Sequence, residues 1–144
     1  MTTYSRRIVL ESDYETALGD LSRALKDEGL QVIARIDVRD HCWRNGHDFR
    51  RYLLLEAWSP DLAFEALRQT LDAGPLLTTT LAVYELADGE TAVTIRESLA
   101  PFADDEALRQ AEPWLAAVAD QERERVTRAL ARVTRAKTAA AGVV

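Results

Sequence analysis

The chain has 144 residues, 47% of them hydrophobic and 29% charged, with a formal net charge of −6. A chain of this size buries roughly 70% of its unfolded surface, enough for one domain with a core, and the composition excludes a disordered tail, a low-complexity protein and non-specific nucleic-acid binding by the molecule as a whole. The lone Cys42 excludes an intramolecular disulfide. Residues Met1–Arg7 lead into strand-like sequence without a signal-peptide core, and no run approaches the ~20 apolar residues of a membrane span, so the expected setting is the cytosol.

Arg6–Glu11 reads as a strand with Ile8 and Leu10 on one face. Ser12-Asp13-Tyr14-Glu15 then has the form of a capping box, with Ser12 as the expected cap. The helix it opens carries Tyr14, Ala17, Leu18, Leu21, Ala24 and Leu25 at steps of three and four, and Gly29 supplies the left-handed stop. In the next strand Leu30, Val32, Ala34, Ile36 and Val38 alternate with Gln31, Ile33, Arg35, Asp37 and Arg39, which predicts that the first set faces inward. Residues 40–49 break the pattern as a loop, with a turn at Asn45-Gly46. Arg51–Trp58 forms a third strand, leucine-rich enough to be central.

Ser59 caps the second helix and Pro60 takes its first position, where a missing N–H costs nothing. Leu62, Ala63, Ala66, Leu67 and Leu71 are expected inside, and Gly74-Pro75 ends the helix. Leu76–Leu86 makes a fourth strand, helped by β-branched Thr78, Thr79, Thr80 and Val83. Ala87-Asp88-Gly89-Glu90 turns it into Thr91–Arg96, with Val93 and Ile95 on one side. From Asp104 to about Lys137 the composition is helical: a short helix ends near Glu112, and a longer one starts at Pro113 with a stripe of Trp114, Leu115, Val118, Val126, Leu130 and Val133. Residues 138–144 are expected to fray.

The order β-α-β-β-α-β-β plus C-terminal helices predicts a single α+β domain, a two-layer sandwich with helices on one face of an antiparallel sheet. Its core spans about 4–103 and a helical extension about 104–137. The units 5–38 and 51–86, each strand-helix-strand, hint at an internal duplication.

Several of these pieces, in this order, resemble a family of small bacterial and archaeal proteins known as domain of unknown function 302. They are the Ser12–Gly29 helix followed by Ile36-Asp37-Val38; Ala57-Trp58-Ser59-Pro60 with Leu62-Ala63; and Gly74 through Val83-Tyr84-Glu85 to the Asp88-Gly89 hairpin. The similarity covers roughly residues 4–135. It implies an α+β fold with a TATA-binding-protein-like sheet layout, frequent dimers and no established activity; it does not imply DNA binding. Relatives commonly carry a cysteine where this chain has Trp58, and another in a stretch matching Thr78-Thr79-Thr80. Neither an indole nor a hydroxyl supplies a thiolate, so no thiol, metal or redox role passes through those positions here.

Three groups of residues are candidates for function. On the sheet face opposite the apolar one, alternation gathers Arg35, Asp37, Tyr52, Glu56, Trp58, Thr80 and Tyr84, a mixture suited to a ligand pocket or an interface. The ligand-binding set drawn from it is Arg35, Tyr52, Glu56, Trp58 and Tyr84. In the blander alternative, Arg35 and Glu56 pair across neighbouring strands while the rings meet a second subunit, and this homodimer is favoured over a small-molecule pocket. The segment 37–48 holds Asp37, Asp40, His41, Cys42, His47 and Asp48; His41, Cys42 and His47 are possible metal ligands, or centre an enzyme with Asp37, against the plainer reading of a polar loop. Arg123, Arg125, Arg128, Arg132, Arg135 and Lys137 suggest a basic strip, but Glu122 and Glu124 interrupt it and the spread suits a solvated helix, so nucleic acid is not the expected partner. There is no phosphate loop, GxSxG elbow or HExxH motif, and Glu97 and Asp104-Asp105 fit helix starts better than acid–base pairs. The reading at this level is a binding or interaction module that uses its sheet face and C-terminal helix for association. No cofactor is assigned.

Overall fold

The computed structural model describes the backbone of residues 5–143 and the side chains of residues 5–134. Strand β1 (Arg6–Leu10) leads to α1 (Tyr14–Asp27), β2 (Gln31–Asp37), α2 (Val38–Arg44), β3 (Tyr52–Trp58) and α3 (Pro60–Gln69). A 3-10 turn (Leu71–Leu76), β4 (Thr79–Ala87), β5 (Glu90–Glu97), α4 (Ala100–Asp104), α5 (Glu106–Ala111) and α6 (Pro113–Val143) complete the chain. The strands form one antiparallel sheet in the order β1-β5-β4-β3-β2. The architecture is the expected α+β sandwich, with β4 rather than β3 in the middle. The two strand-helix-strand units are not equivalent: β1 and β2 lie at opposite edges, whereas β3 and β4 are neighbours.

One side of the sheet is covered. Leu10 of β1, Leu55 and Ala57 of β3, Leu81 and Val83 of β4, and Val93 and Ile95 of β5 share a core with Leu21 and Leu25 of α1 and with Val126, Ala129, Leu130 and Val133 of α6. Alternate residues of each strand point to this side, and two amphipathic helices lie over them. The apolar seam of α6 is thereby buried inside the chain's own core. Further along, Leu115, Val118 and Ala119 of α6 pack with Leu62 and Leu99.

The ends of the elements differ from expectation in three places. Helix α1 is capped by Asp13, not Ser12: the Asp13 carboxylate accepts from the Thr16 amide at 2.8 Å, while the Ser12 hydroxyl bonds the Asp13 carbonyl. The helix does close on Gly29, at φ +82°, where the Leu30 amide donates to the Leu25 carbonyl and the Gly29 amide to that of Lys26. Residues expected as a loop include α2, whose cap is Asp37 accepting from the Asp40 amide at 3.0 Å. Leu71 is exposed, because α3 stops at Gln69 and the chain tightens into the 3-10 turn. The split of the tail at Pro113 is as expected. The side chains of Arg135 and Lys137 lie outside the described residues, as does Val144 altogether, while the backbone of 138–143, expected to fray, belongs to α6.

The most consequential difference is in β2. Its pairing with β3 slips between Val32 and Ala34, a bulge at Ile33. One extra residue reverses which side every later residue faces. Ala34 and Ile36, expected inside, lie opposite Glu56 and Leu54 on the uncovered side, and Ile36 is 42% exposed. Arg35 and Asp37 lie opposite Leu55 and Leu53 on the helix side.

Candidate functional site

Side chains that register places directly opposite one another share a face of an antiparallel sheet. On the uncovered face this gives three rows. The first runs Val9, Ala92, Tyr84, Tyr52; the second Arg7, Thr94, Ala82, Leu54, Ile36; the third Arg96, Thr80, Glu56, Ala34. The face therefore grades from aromatic and aliphatic at one end of the strands to charged at the other. Between β1 and β3 it sinks into an open hollow of about 970 Å³ lined by residues of all three rows, among them Arg7, Leu54, Tyr84 and Arg96.

Tyr52 and Tyr84 are cross-strand partners, and their rings stack with centroids 5.0 Å apart and planes 6° from parallel. Burial, followed by the neighbouring Tyr84, holds the Tyr52 hydroxyl above its ordinary pKa. Phe49, 6.0 Å from Tyr52, extends the aromatic end. At the polar end the Thr80 hydroxyl donates to Glu56 at 2.7 Å. Among the described residues, the guanidinium groups of Arg7 and Arg96 make no hydrogen bond or ion pair.

Of the ligand set read from the sequence, the structure brings together Tyr52 and Tyr84, with Glu56 on the margin. Trp58 leaves the set: its ring packs toward Ala63, Ala66 and Leu77 beside α3, and its indole N–H donates to Gln31 at 3.3 Å. Arg35 and Asp37 are corrected to the other face by the bulge, so the proposed Arg35–Glu56 pair does not form. Asp37 there raises the pKa of Tyr14, after the larger effect of burial. The alternation of Arg7 and Val9 with Ile8 and Leu10, and of Thr94 and Arg96 with Val93 and Ile95, held the signal for the missed residues.

The candidate metal ligands sit on and after α2. Its last turn closes on Gly46, at φ +83°, with the His47 amide donating to the Cys42 carbonyl at 2.9 Å. His41 and His47 are exposed, Cys42 is half-buried, Asp37 is the helix cap, and Asp40 pairs with Arg44 at 3.0 Å. Among the described residues no group of three or more His, Cys, Asp or Glu side chains is placed to hold a metal ion.

The arginines of α6 are tied down within the chain. Arg125 forms a two-pronged pair with Asp61 at 2.8 Å, holding that carboxyl down at about 2. Arg123 bridges Glu97 and Asp104, and Arg128 and Arg132 both clasp Glu28. They fasten α6 to α1, α3 and α4 and leave no continuous basic face among the described residues. Beneath them Glu122 is buried. Its Oε2 accepts from the Ser59 hydroxyl at 2.6 Å, which is why Ser59 makes no side-chain cap to α3, and Oε1 has no partner among the described residues.

A family model described as Domain of unknown function DUF302 matches residues 7–133. The chain belongs to the DUF302 family. A crystal structure titled as an uncharacterized conserved DUF302 protein from Bacillus stearothermophilus has a TM-score of 0.75 to this chain. It covers 92% of this chain and 99% of its own at 22% identity, so the DUF302 fold is shared while side-chain chemistry is free to differ. No curated protein matches the chain. Among the described residues no helix of this DUF302 protein is long and apolar enough to cross a membrane.

Proposed function

We propose that this DUF302 protein is a binding module whose working surface is the uncovered face of its sheet. One observation carries the reading: the helices cover a single side, and the other side is a hollow of about 970 Å³ with a stacked tyrosine pair in its wall. That volume lies at the upper end of what small-molecule sites enclose, and the mixture of apolar wall and a few polar groups is their usual composition.

A library of fluorinated fragments, screened by ligand-observed magnetic resonance and followed by amide shifts of the full chain, tests it. Hits should perturb Val9, Leu54, Ala82 and Tyr84 and should be lost in Tyr84→Ala. Hits that collect instead around α3 and the following turn would remove the reading.

A homodimer through the same face is the second reading. Val9 and Ile36, 45% and 42% exposed, are apolar residues at the two rims of the sheet. Two concave surfaces fill one another poorly, however, and a concave surface suits a convex occupant better. Light scattering of wild type against Tyr84→Glu decides: a dimer that this substitution splits supports the second reading, and a monomer at micromolar concentration removes it.

A further inference from the structure

The two arginines of the hollow carry the reading further. Arg7 of β1 pairs in register with Thr94 of β5, and Arg96 lies two residues further along β5 on the same side. Such diagonal neighbours have Cα atoms about 7–8 Å apart, close enough for both guanidinium groups to converge on one small group. Nearly every other arginine on the helix side has a carboxylate: Arg6, next to Arg7 in sequence but on the opposite face, pairs with Glu97, and α6 follows the same rule. Two guanidinium groups left without partners among the described residues, in a concavity, are a forked donor set for a carboxylate, sulfonate or phosphate.

The surroundings say what the anion is attached to. Thr94 and Thr80 place hydroxyls beside the arginines, and the rows then turn apolar through Ala82 and Leu54 to the tyrosine stack. From β5 to β3 is two strand spacings, about 10 Å, the length of a fused two-ring system. Glu56 sets the orientation, because its carboxylate sits on the β3 side of the third row and repels a negative group there. We propose that the hollow is a site for an organic anion with a flat apolar body, its headgroup held by Arg7 and Arg96 and its body laid along Leu54, Tyr52 and Tyr84. This rests on the uncovered face being the binding face.

The test titrates naphthoate, the neutral isostere naphthamide and inorganic phosphate into the full chain, read by calorimetry and by amide shifts. Naphthoate is expected to bind with shifts at Arg7, Thr94, Arg96 and Tyr84, and to weaken with added salt. Naphthamide should bind about tenfold more weakly, as should naphthoate to Arg7→Gln or Arg96→Gln, since a hydrogen bond to a charged group is the strong kind. Phosphate should compete only weakly. Both variants alter exposed side chains, and an unchanged melting curve confirms that they fold. If naphthamide binds as well as naphthoate, the two variants match wild type and Tyr84→Ala abolishes binding, the anion is overturned while the binding face stands. If no probe binds, or Tyr84→Ala changes nothing, both fall. If wild type is a dimer by light scattering and the probes bind only once it is diluted to monomer, a second copy is the occupant and the small-molecule site is overturned.

Discussion

The two faces of the sheet are built from the same strands by the same alternation, yet they solve opposite problems. On the helix side each apolar residue meets another, and charges at the periphery are matched: Arg125 with Asp61, Arg123 with Glu97 and Asp104, Arg128 and Arg132 with Glu28. On the other side, among the described residues, the apolar residues form a wall that no helix covers, and Arg7 and Arg96 have no counter-charge. One face is arranged for the stability of the chain; the other carries features that stability does not require.

That contrast is sharpest between adjacent residues. Leu55 is fully buried on the helix side, and Leu54 is half-buried on the open side. Leu55→Ala should cost about 2–5 kcal/mol by urea unfolding, and Leu54→Ala no more than about 1 kcal/mol, in line with its smaller loss of buried area. Equal costs would mean that the open face is as necessary to folding as the covered one. Next in size, Ser59→Ala removes the hydrogen bond to buried Glu122 and should cost about 1–3 kcal/mol.

Glu122 itself tests whether the helix side is fully optimised. Burial, only partly offset by the Ser59 hydroxyl, raises its carboxyl above the ordinary 4.5. A raised acid favours the folded state when protonated: that contribution is complete below pH 4.5 and is lost as pH rises through the folded value. At neutral pH wild type therefore carries the penalty of a buried charge, and Glu122→Gln should gain roughly 1 kcal/mol, a gain that disappears below about pH 4.5. A pH-independent difference would show that the effect is packing rather than ionisation. The smallest expected effect is Arg96→Gln, within about 0.5 kcal/mol of wild type in thermal unfolding; a larger loss would mean that Arg96 serves the fold rather than a ligand.

Much of this was readable from residue pattern. The α1 stripe from Tyr14 to Leu25 with its stop at Gly29, the Ser59-Pro60 start, the Asp88-Gly89 hairpin and the break at Pro113 each follow from local chemistry, and each is found where expected. What resisted reading depended on pairing. Strict alternation in residues 30–38 is compatible with either face once a single residue is inserted, and only the register against β3 reveals the slip at Ile33. That slip removed Arg35 from the candidate site, and the helical packing of Trp58 removed another. Tyr52, Tyr84 and the margin at Glu56 survived because β3 and β4 pair without interruption between Tyr52–Tyr84 and Ala57–Thr79. Arg7 and Arg96 were missed because their significance lies in having no partner among the described residues, which no sequence displays.

The irregularity in β2 has a last consequence. It lies on an outer strand, where unpaired backbone groups would otherwise form an even ladder inviting another chain to add itself. A bulge breaks that rhythm, and Arg35 with Asp37 adds charge beside it. On that edge the break and the two charges work against sheet-to-sheet growth.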